Sequence, residues 1–330
     1  MLVVGPNGAG KTNLLESLHV GTQGFSPRTR TDARLIRFGQ DAARIVLHGE
    51  RAGSPVELDV VLHVGDAKRA TLNRARLRTA EQLRSEVAAL VFTPDRLVIV
   101  KGGPAARRAY FDRALARGTP TRAALPVEYG GALAQRNAAL RGVAGGFTSR
   151  EALMPWTQQV ASLGSQLVEA RRDVVAALEP LFAERAEELG LGGAGLHYDG
   201  DPLTMEALEE RLDRDLERGS TGIGPHLDDV AVLAGDRDLR AFGSQGEQRL
   251  AVLALLLAEA ELVQQRHGLS PLLLLDDVLS ELDGDRRRIL SERLRSCGQT
   301  LITATTTASL PADPDQLVRV EATAGGTVVR

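Results

Sequence analysis

Between residues 56 and 64 apolar side chains alternate with mostly polar neighbours: Val56, Leu58, Val60, Leu62 and Val64. Successive side chains on a strand point to opposite faces, so this period of two predicts a strand with one buried face. Residues 2–4 predict a short apolar strand and residues 13–20 the helix after it. Residues 70–77 predict a hairpin turning at Asn73-Arg74. Residues 87–93 predict a further strand, ended by Pro94. From about residue 104 the period lengthens. Trp156, Val160, Leu163, Leu167, Val174, Leu178 and Leu181 recur at steps of three, four and seven, which marks one face of a long amphipathic helix. Pro155 suits a first helical position, and Pro180 is expected to end or kink the helix and start the next. Glycines from Gly190 onward close the block, and a helix over 205–218 follows. Strand patterns return at 227–233 and 239–242, separated by Gly235-Asp236. A helix over 247–265, a buried strand over 272–276, a helix over 286–295 and a strand over 300–305 come next. A last hairpin turns at Gly325-Gly326.

The order is therefore α/β, then helices, then α/β. The economical architecture is one α/β domain, a mixed sheet with flanking helices, split by a helical insertion. Its boundaries are read as 1–103 and 221–330 for the discontinuous α/β part and 104–220 for the helical arm. The chain has 330 residues, 43% apolar and 25% charged, which is ordinary soluble globular composition. The longest apolar runs, 250–260 and 272–275, are far short of a membrane span, and no basic segment precedes the first apolar stretch. Cys297 is the only cysteine and the six histidines lie far apart, so neither a disulfide nor a His/Cys metal site is expected. These features favour the cytoplasm.

Net charge is −3, yet charge is uneven. Lys68, Arg69, Arg74, Arg76 and Arg78 form one basic cluster. Lys101, Arg107, Arg108, Arg113, Arg117 and Arg122 form another, interrupted only by Asp112. Solvated surface is one reading, and contact with a phosphate backbone is the other; Arg69, Arg74, Arg76, Arg107 and Arg108 are the DNA candidates. Aromatic residues make up 3%, too few for base stacking along single strands to be the main mechanism.

Three stretches carry chemistry. Gly5-Pro6-Asn7-Gly8-Ala9-Gly10-Lys11-Thr12 fits a phosphate-binding loop between a strand and a helix. Its glycines let backbone N–H groups turn inward around phosphates, Lys11 would reach the β and γ oxygens, and the Thr12 hydroxyl would bind Mg²⁺. The chain has only three lysines, so the match is unlike a chance one. An apolar strand, Leu272 to Leu275, ends in Asp276-Asp277. Beside a phosphate loop, Asp276 would hold Mg²⁺ through water and Asp277 would orient or deprotonate the attacking water; a helix cap is the plainer role for Asp277. Phe242-Gly243-Ser244-Gln245-Gly246-Glu247-Gln248-Arg249 opens a helix, and exposed N–H groups with a hydroxyl there make a second anion site; plain N-capping by Ser244 is the alternative.

Taken together, the phosphate loop, Ser-Gln-Gly-x-Gln-Arg, Asp-Asp and Ser280-Glu281-Leu282-Asp283 resemble the ABC-type ATPase heads of the SMC-like DNA-repair group. Further stretches narrow the resemblance to the RecF family of bacterial recombination mediators. They are Val91 to Asp95, Lys101 to Ala105 with Arg107-Arg108, Gln135 to Ala138, Gly224-Pro225-His226 with Asp228-Asp229, and Thr303-Ala304-Thr305. The resemblance implies that ATP is sandwiched between two protomers. Ser244, Gln245 and Gly246 of one would meet the γ-phosphate held by the other, with Ser280, Glu281, Leu282 and Asp283 lying across the interface. ATP would close a homodimer and hydrolysis would open it. The family binds single-stranded and gapped DNA, acts with RecR and RecO to load RecA, and supports the SOS response.

This sequence departs from the family pattern in six ways. A leading segment of roughly two strands is expected before the loop. Leu227 stands where an arginine is usual, and Glu247 where glutamine is commoner. Phe92 to Asp95 occupies the place of the Q-loop glutamine, and Thr303 or Thr305 that of a switch histidine. With Asp277 in place of a glutamate, these predict a slow, DNA-stimulated ATPase that serves as a switch. A small-molecule kinase would use Lys11 and Asp276 but leaves Ser244 to Arg249 without a task. A non-hydrolysing, ATP-bound scaffold is the other alternative.

Overall fold

A computed structural model describes residues 1–29, 31–51, 53–78, 80–280, 282–311, 313–323 and 326–329. The elements run β1 (Leu2–Val4), α1 (Lys11–Gln23), β2 (Ala42–Arg51), β3 (Ser54–His63), β4 (Arg69–Leu72), β5 (Ala75–Arg76), α2 (Ala80–Glu86) and β6 (Ala89–Phe92). Then come α3 (Val98–Lys101), α4 (Pro104–Gly118), α5 (Leu125–Ala144), α6 (Met154–Glu188), β7 (Ala194–Asp199), α7 (Met205–Glu210), α8 (Leu212–Arg218), β8 (Asp229–Ala234), β9 (Arg237–Asp238) and α9 (Leu239–Phe242). The chain closes with α10 (Gln245–His267), β10 (Leu272–Leu275), α11 (Gly284–Ser296), β11 (Thr300–Ala304), β12 (Leu317–Thr323) and β13 (Gly326–Val329). It divides into two compact units. One is Met1–Arg96 with Glu188–Gly190 and Val263–Arg330; the other is Leu97–Glu187 with Leu191–Leu262. The arm expected over 104–220 lies within the second unit except for Glu188–Gly190, and residues 221–262 lie in that unit as well.

In the first unit, six strands pair in the order β13-β12-β1-β11-β10-β6. All neighbours are parallel except the β12–β13 hairpin. A parallel strand covered on both faces reads as a continuous apolar run, which is why β10 is four leucines and β1 is Leu-Val-Val. Val3, Leu15, Val91, Leu274, Leu301 and Val320 meet in one core. Parallel register brings the C-terminal ends of β1, β11, β10 and β6 to one edge, where open α/β sheets place their ligands. A second sheet, β2-β3-β4-β5, is antiparallel. Leu58, Val60 and Leu62 are buried on one face of β3, as the alternation predicts, and pack with Val20 of α1. β2 crosses α1 so closely that a Cβ on Gly21 would come within 2.6 Å of Leu47. The β4–β5 turn has φ 46° at Asn73 and 70° at Arg74, the two positive angles of a tight hairpin, and Asn73 Oδ1 accepts from the Glu57 N–H at 2.8 Å. The final hairpin forms with Gly326 at φ 133°, while Gly325 lies outside the described residues.

In the second unit, α6 departs from expectation at Pro180, which sits inside one continuous helix. An interior proline costs about 3 kcal/mol through a lost hydrogen bond and ring clash. Leu178, Phe182 and Ala186 are fully buried on that face, and two such large side chains recover a similar amount, roughly 1.5–3 kcal/mol each. The helix expected over 205–218 is two, broken at Arg211 (φ −97°, ψ −2°). The strand expected over 239–242 is the short helix α9: the Asp238 carboxylate accepts from the Arg240 N–H at 2.8 Å, and this cap favours a helical turn with Leu239 buried. Two strands carry no usable signal in the sequence. β2 is exposed along most of its length, so its period is faint, and β7 is a short strand that follows glycines and pairs antiparallel with β8.

Candidate functional site

The phosphate loop spans the gap between β1 and α1. Gly10 has φ 98°, which only glycine adopts without strain, and a Cβ there would lie 2.3 Å from Thr327 Oγ1. That hydroxyl, brought from β13, donates to the Ala9 carbonyl at 3.1 Å and so ties the loop to the C-terminal hairpin. Lys11 Nζ donates to the carbonyls of Gly5 (2.8 Å) and Pro6 (3.1 Å), which holds a positive charge over the loop. Among the described residues no side chain caps the start of α1, so its first N–H groups remain for an anion.

Thr12 and Asp276 meet, although 264 residues separate them: the Thr12 hydroxyl donates to Asp276 Oδ2 at 3.0 Å and lies 3.2 Å from Oδ1. Asp276 is buried, and its Oδ1 also accepts from the Thr303 hydroxyl at 2.7 Å. The Asp277 N–H donates to Thr303 Oγ1 at 3.0 Å, and Ser280 Oγ donates to the Asp277 carbonyl, also at 3.0 Å. Next to Asp276 across the register Leu275↔Phe92 is Thr93, in the stretch that replaces a Q-loop glutamine. Its hydroxyl is buried and has no hydrogen-bond partner among the described residues. Two hydroxyls and a carboxylate are hard oxygen donors of the kind Mg²⁺ takes while it keeps water and phosphate as its other ligands. The donor set at Thr12 and Asp276 fits that ion. No group of three or more carboxylate, His or Cys side chains that could hold a metal occurs among the described residues, so nothing here resembles an all-protein metal cage.

Around the second expected anion site, Ser244, Gln245 and Gly246 are exposed at the start of α10. Ser244 Oγ accepts from the Glu247 N–H (3.2 Å) and Glu247 Oε2 accepts from the Ser244 N–H (2.8 Å), a reciprocal capping box. Arg237 donates to the other carboxylate oxygen at 2.9 Å. The backbone bond from Ser244, with Arg237 second, holds the Glu247 carboxyl down at about 2. Glu247 therefore does a definite job in this helix start, and Ser244 is both a cap and an exposed hydroxyl. Because its folded pKa lies below the ordinary glutamate value of 4.5, its contribution to stability is full above that value and is lost as pH falls toward 2. The stability difference between wild type and Glu247→Gln in urea melts should shrink as pH drops from 7 to 3. A constant difference would contradict this assignment.

The remaining expected residues separate. Leu282 is buried and Asp283 caps α11 by accepting from the Arg286 N–H at 2.9 Å, whereas Glu281 lies outside the described residues. Arg107 is a correction among the DNA candidates: it is 2% exposed and forms a bidentate pair with Asp229 at 2.6 and 2.7 Å. Arg108 donates to the Asp228 carbonyl at 2.6 Å, and burial lowers its pKa. Arg117 pairs with Glu259 and Arg122 with Asp173, so this second cluster serves largely to join helices. In the first cluster Lys68 is tied to Asp32 and the Gly24 carbonyl, but Arg69, Arg74 and Arg76 are exposed with no side-chain partner among the described residues. His226 is likewise internal. Its Nε2 donates to the Thr221 carbonyl and its Nδ1 accepts from the Tyr129 hydroxyl at 2.8 Å, while burial lowers its pKa.

Residues 1–328 match the family model described as the RecF/RecN/SMC N-terminal domain. It is 39% identical to the DNA replication and repair protein RecF of Acidothermus cellulolyticus, over 91% of this chain and 86% of that one. It is 34% identical to the protein of the same description from Heliobacterium modesticaldum, over 96% and 89%. Among solved structures, one of the recombination mediator protein RecF with ATP, in the RecFOR pathway, superposes with a TM-score of 0.88 at 25% identity, covering 100% of this chain and 91% of that one.

Proposed function

This chain belongs to the RecF family of DNA replication and repair proteins, within the RecF/RecN/SMC N-terminal domain family, and from that premise we propose that it is an ATP-gated DNA clamp of the cytoplasm. The observation that carries the reading is the meeting of Thr12 and Asp276 beside a loop whose lysine is already drawn over its carbonyls. That geometry suits a nucleoside triphosphate in the phosphate loop. Lys11 and the uncapped N–H groups of α1 would bind its phosphates, and Asp277 would orient water for slow, DNA-stimulated hydrolysis. Mg²⁺ held by Thr12 and Asp276 would supply charge neutralisation to the phosphates. The exposed Ser244 and Gly246 are suited to completing the site of a second copy, which makes closure of a homodimer the response to ATP. No helix among the described residues is long and apolar enough to cross a membrane.

The DNA reading rests on the family and on the free arginines of the β4–β5 hairpin. Single-stranded and gapped DNA are the proposed targets, and RecO and RecR the proposed partners in promoting RecA loading and SOS induction. Replacing Arg69, Arg74 and Arg76 together by alanine should reduce the slope of log affinity for gapped DNA against log salt by about 2–3, since each phosphate contact contributes roughly 0.7–0.9. The same substitution at Arg107 alone should leave that slope unchanged. An unaltered slope in the triple variant would assign these arginines to plain surface.

A further inference from the structure

Among the described residues three non-glycines have a left-handed backbone. Asn73 and Arg74 need it to turn a hairpin, but Asp277, at φ 49°, follows a buried strand. Such a conformation costs about 1–2 kcal/mol in a residue with a Cβ and persists where the surroundings hold it. Here they hold it from both sides. Its N–H donates to Thr303 Oγ1 at 3.0 Å and its carbonyl accepts from Ser280 Oγ at 3.0 Å. Thr303 is fully buried and sits on β11, the strand between β1 and β10. A hydroxyl has one proton, and this one goes to Asp276 Oδ1 at 2.7 Å, which leaves a lone pair for the Asp277 amide. One side chain thus fixes both acids, and Asp276 passes the link to Thr12 of the phosphate loop.

We propose that Thr303 is a positioning residue for hydrolysis: it locks the left-handed backbone of Asp277 and so sets the direction of that carboxylate relative to Asp276 and Thr12. This rests on the reading of Asp277 as the acid that orients water. It also separates the two threonines in the place of a switch histidine. Thr303 is buried beneath the acids and has no free face for a phosphate, whereas Thr305 is exposed.

The test uses Thr303→Val, which keeps the volume and loses both hydrogen bonds, Thr303→Ser, which restores the hydroxyl, and Asp277→Asn as the reference. In single turnover with bound ATP and gapped DNA, Thr303→Val should slow hydrolysis by about tenfold or more, the loss expected for a misdirected catalytic group. Thr303→Ser should stay within about threefold of wild type. ATP affinity read without Mg²⁺, where Asp276 has no metal to hold and the phosphates rest on Lys11 and the loop, should change by less than about threefold in both. Amide hydrogen exchange at Asp277, read without nucleotide, should be about tenfold faster in Thr303→Val. Wild-type rates in Asp277→Asn would remove the role of Asp277 and this proposal with it. Slow Asp277→Asn beside Thr303→Val that hydrolyses and exchanges like wild type would remove this proposal alone. Loss of ATP affinity in Thr303→Val equal to its loss of rate would also overturn it, because Thr303 would then support the pocket as a whole.

Discussion

Lys11→Ala should weaken ATP binding on the order of 100-fold, about 2.8 kcal/mol, near the top of the range for losing hydrogen bonds to a charged group. In the free protein the ammonium spends its donors on the Gly5 and Pro6 carbonyls, within the arc of the loop. A triphosphate offers it stronger, charged acceptors, so the difference between bound and free states is large. The cost to the free fold is small: two solvent-accessible hydrogen bonds from the ammonium to neutral carbonyls, about 1–2 kcal/mol together, against a stability of roughly 5–15 kcal/mol. Titration with a fluorescent ATP analogue, alongside thermal melts of the free protein, separates the two. Lys11→Arg keeps the charge but not the compact ammonium geometry and should recover only part of the affinity. Wild-type affinity in Lys11→Ala would place nucleotide binding elsewhere.

Ser244→Arg should abolish ATP-driven dimerisation while binding of ATP to the monomer stays within about twofold of wild type. Ser244 lies in the second compact unit and Lys11, Thr12 and Asp276 in the first. If the nucleotide of one copy needs Ser244 of the other, a bulky side chain there blocks closure without touching the loop that binds. The substitution also removes the acceptor for the Glu247 N–H, a cap worth about 1 kcal/mol, which is too little to unfold the chain.

Both of these residues could be chosen from sequence because their chemistry is local. A phosphate loop declares itself over eight consecutive positions, and β10 with its two acids over six, since a buried parallel strand reads as an unbroken apolar run. The alternation of β3 and the Asn73-Arg74 turn were legible for the same reason. What sequence cannot express is partnership at a distance. Arg107 looks the same in the chain as Arg69, yet one is buried against Asp229, 122 residues away, and the other is exposed. A run of arginines marks density of charge and leaves its direction open. The capping box at Ser244 has a local signature, Ser-x-x-Glu, but the Arg237 that completes it comes from a neighbouring strand. Thr303 and Thr327 carry no pattern of their own: each matters through one hydroxyl delivered by the sheet to a loop far away in the chain. Pro180 failed as a helix breaker because burial of the flanking Leu178 and Phe182 outweighs a lost hydrogen bond, a balance that is settled only in the packed helix.

In the proposed clamp each chain carries half of two sites. Mass by light scattering at fixed protein concentration, with ATP and Mg²⁺ and then without, addresses it directly. The wild type should shift from monomer to dimer only with ATP, and Ser244→Arg should remain monomeric with ATP bound. Dimers that form equally without ATP, or that persist in Ser244→Arg, would contradict the account.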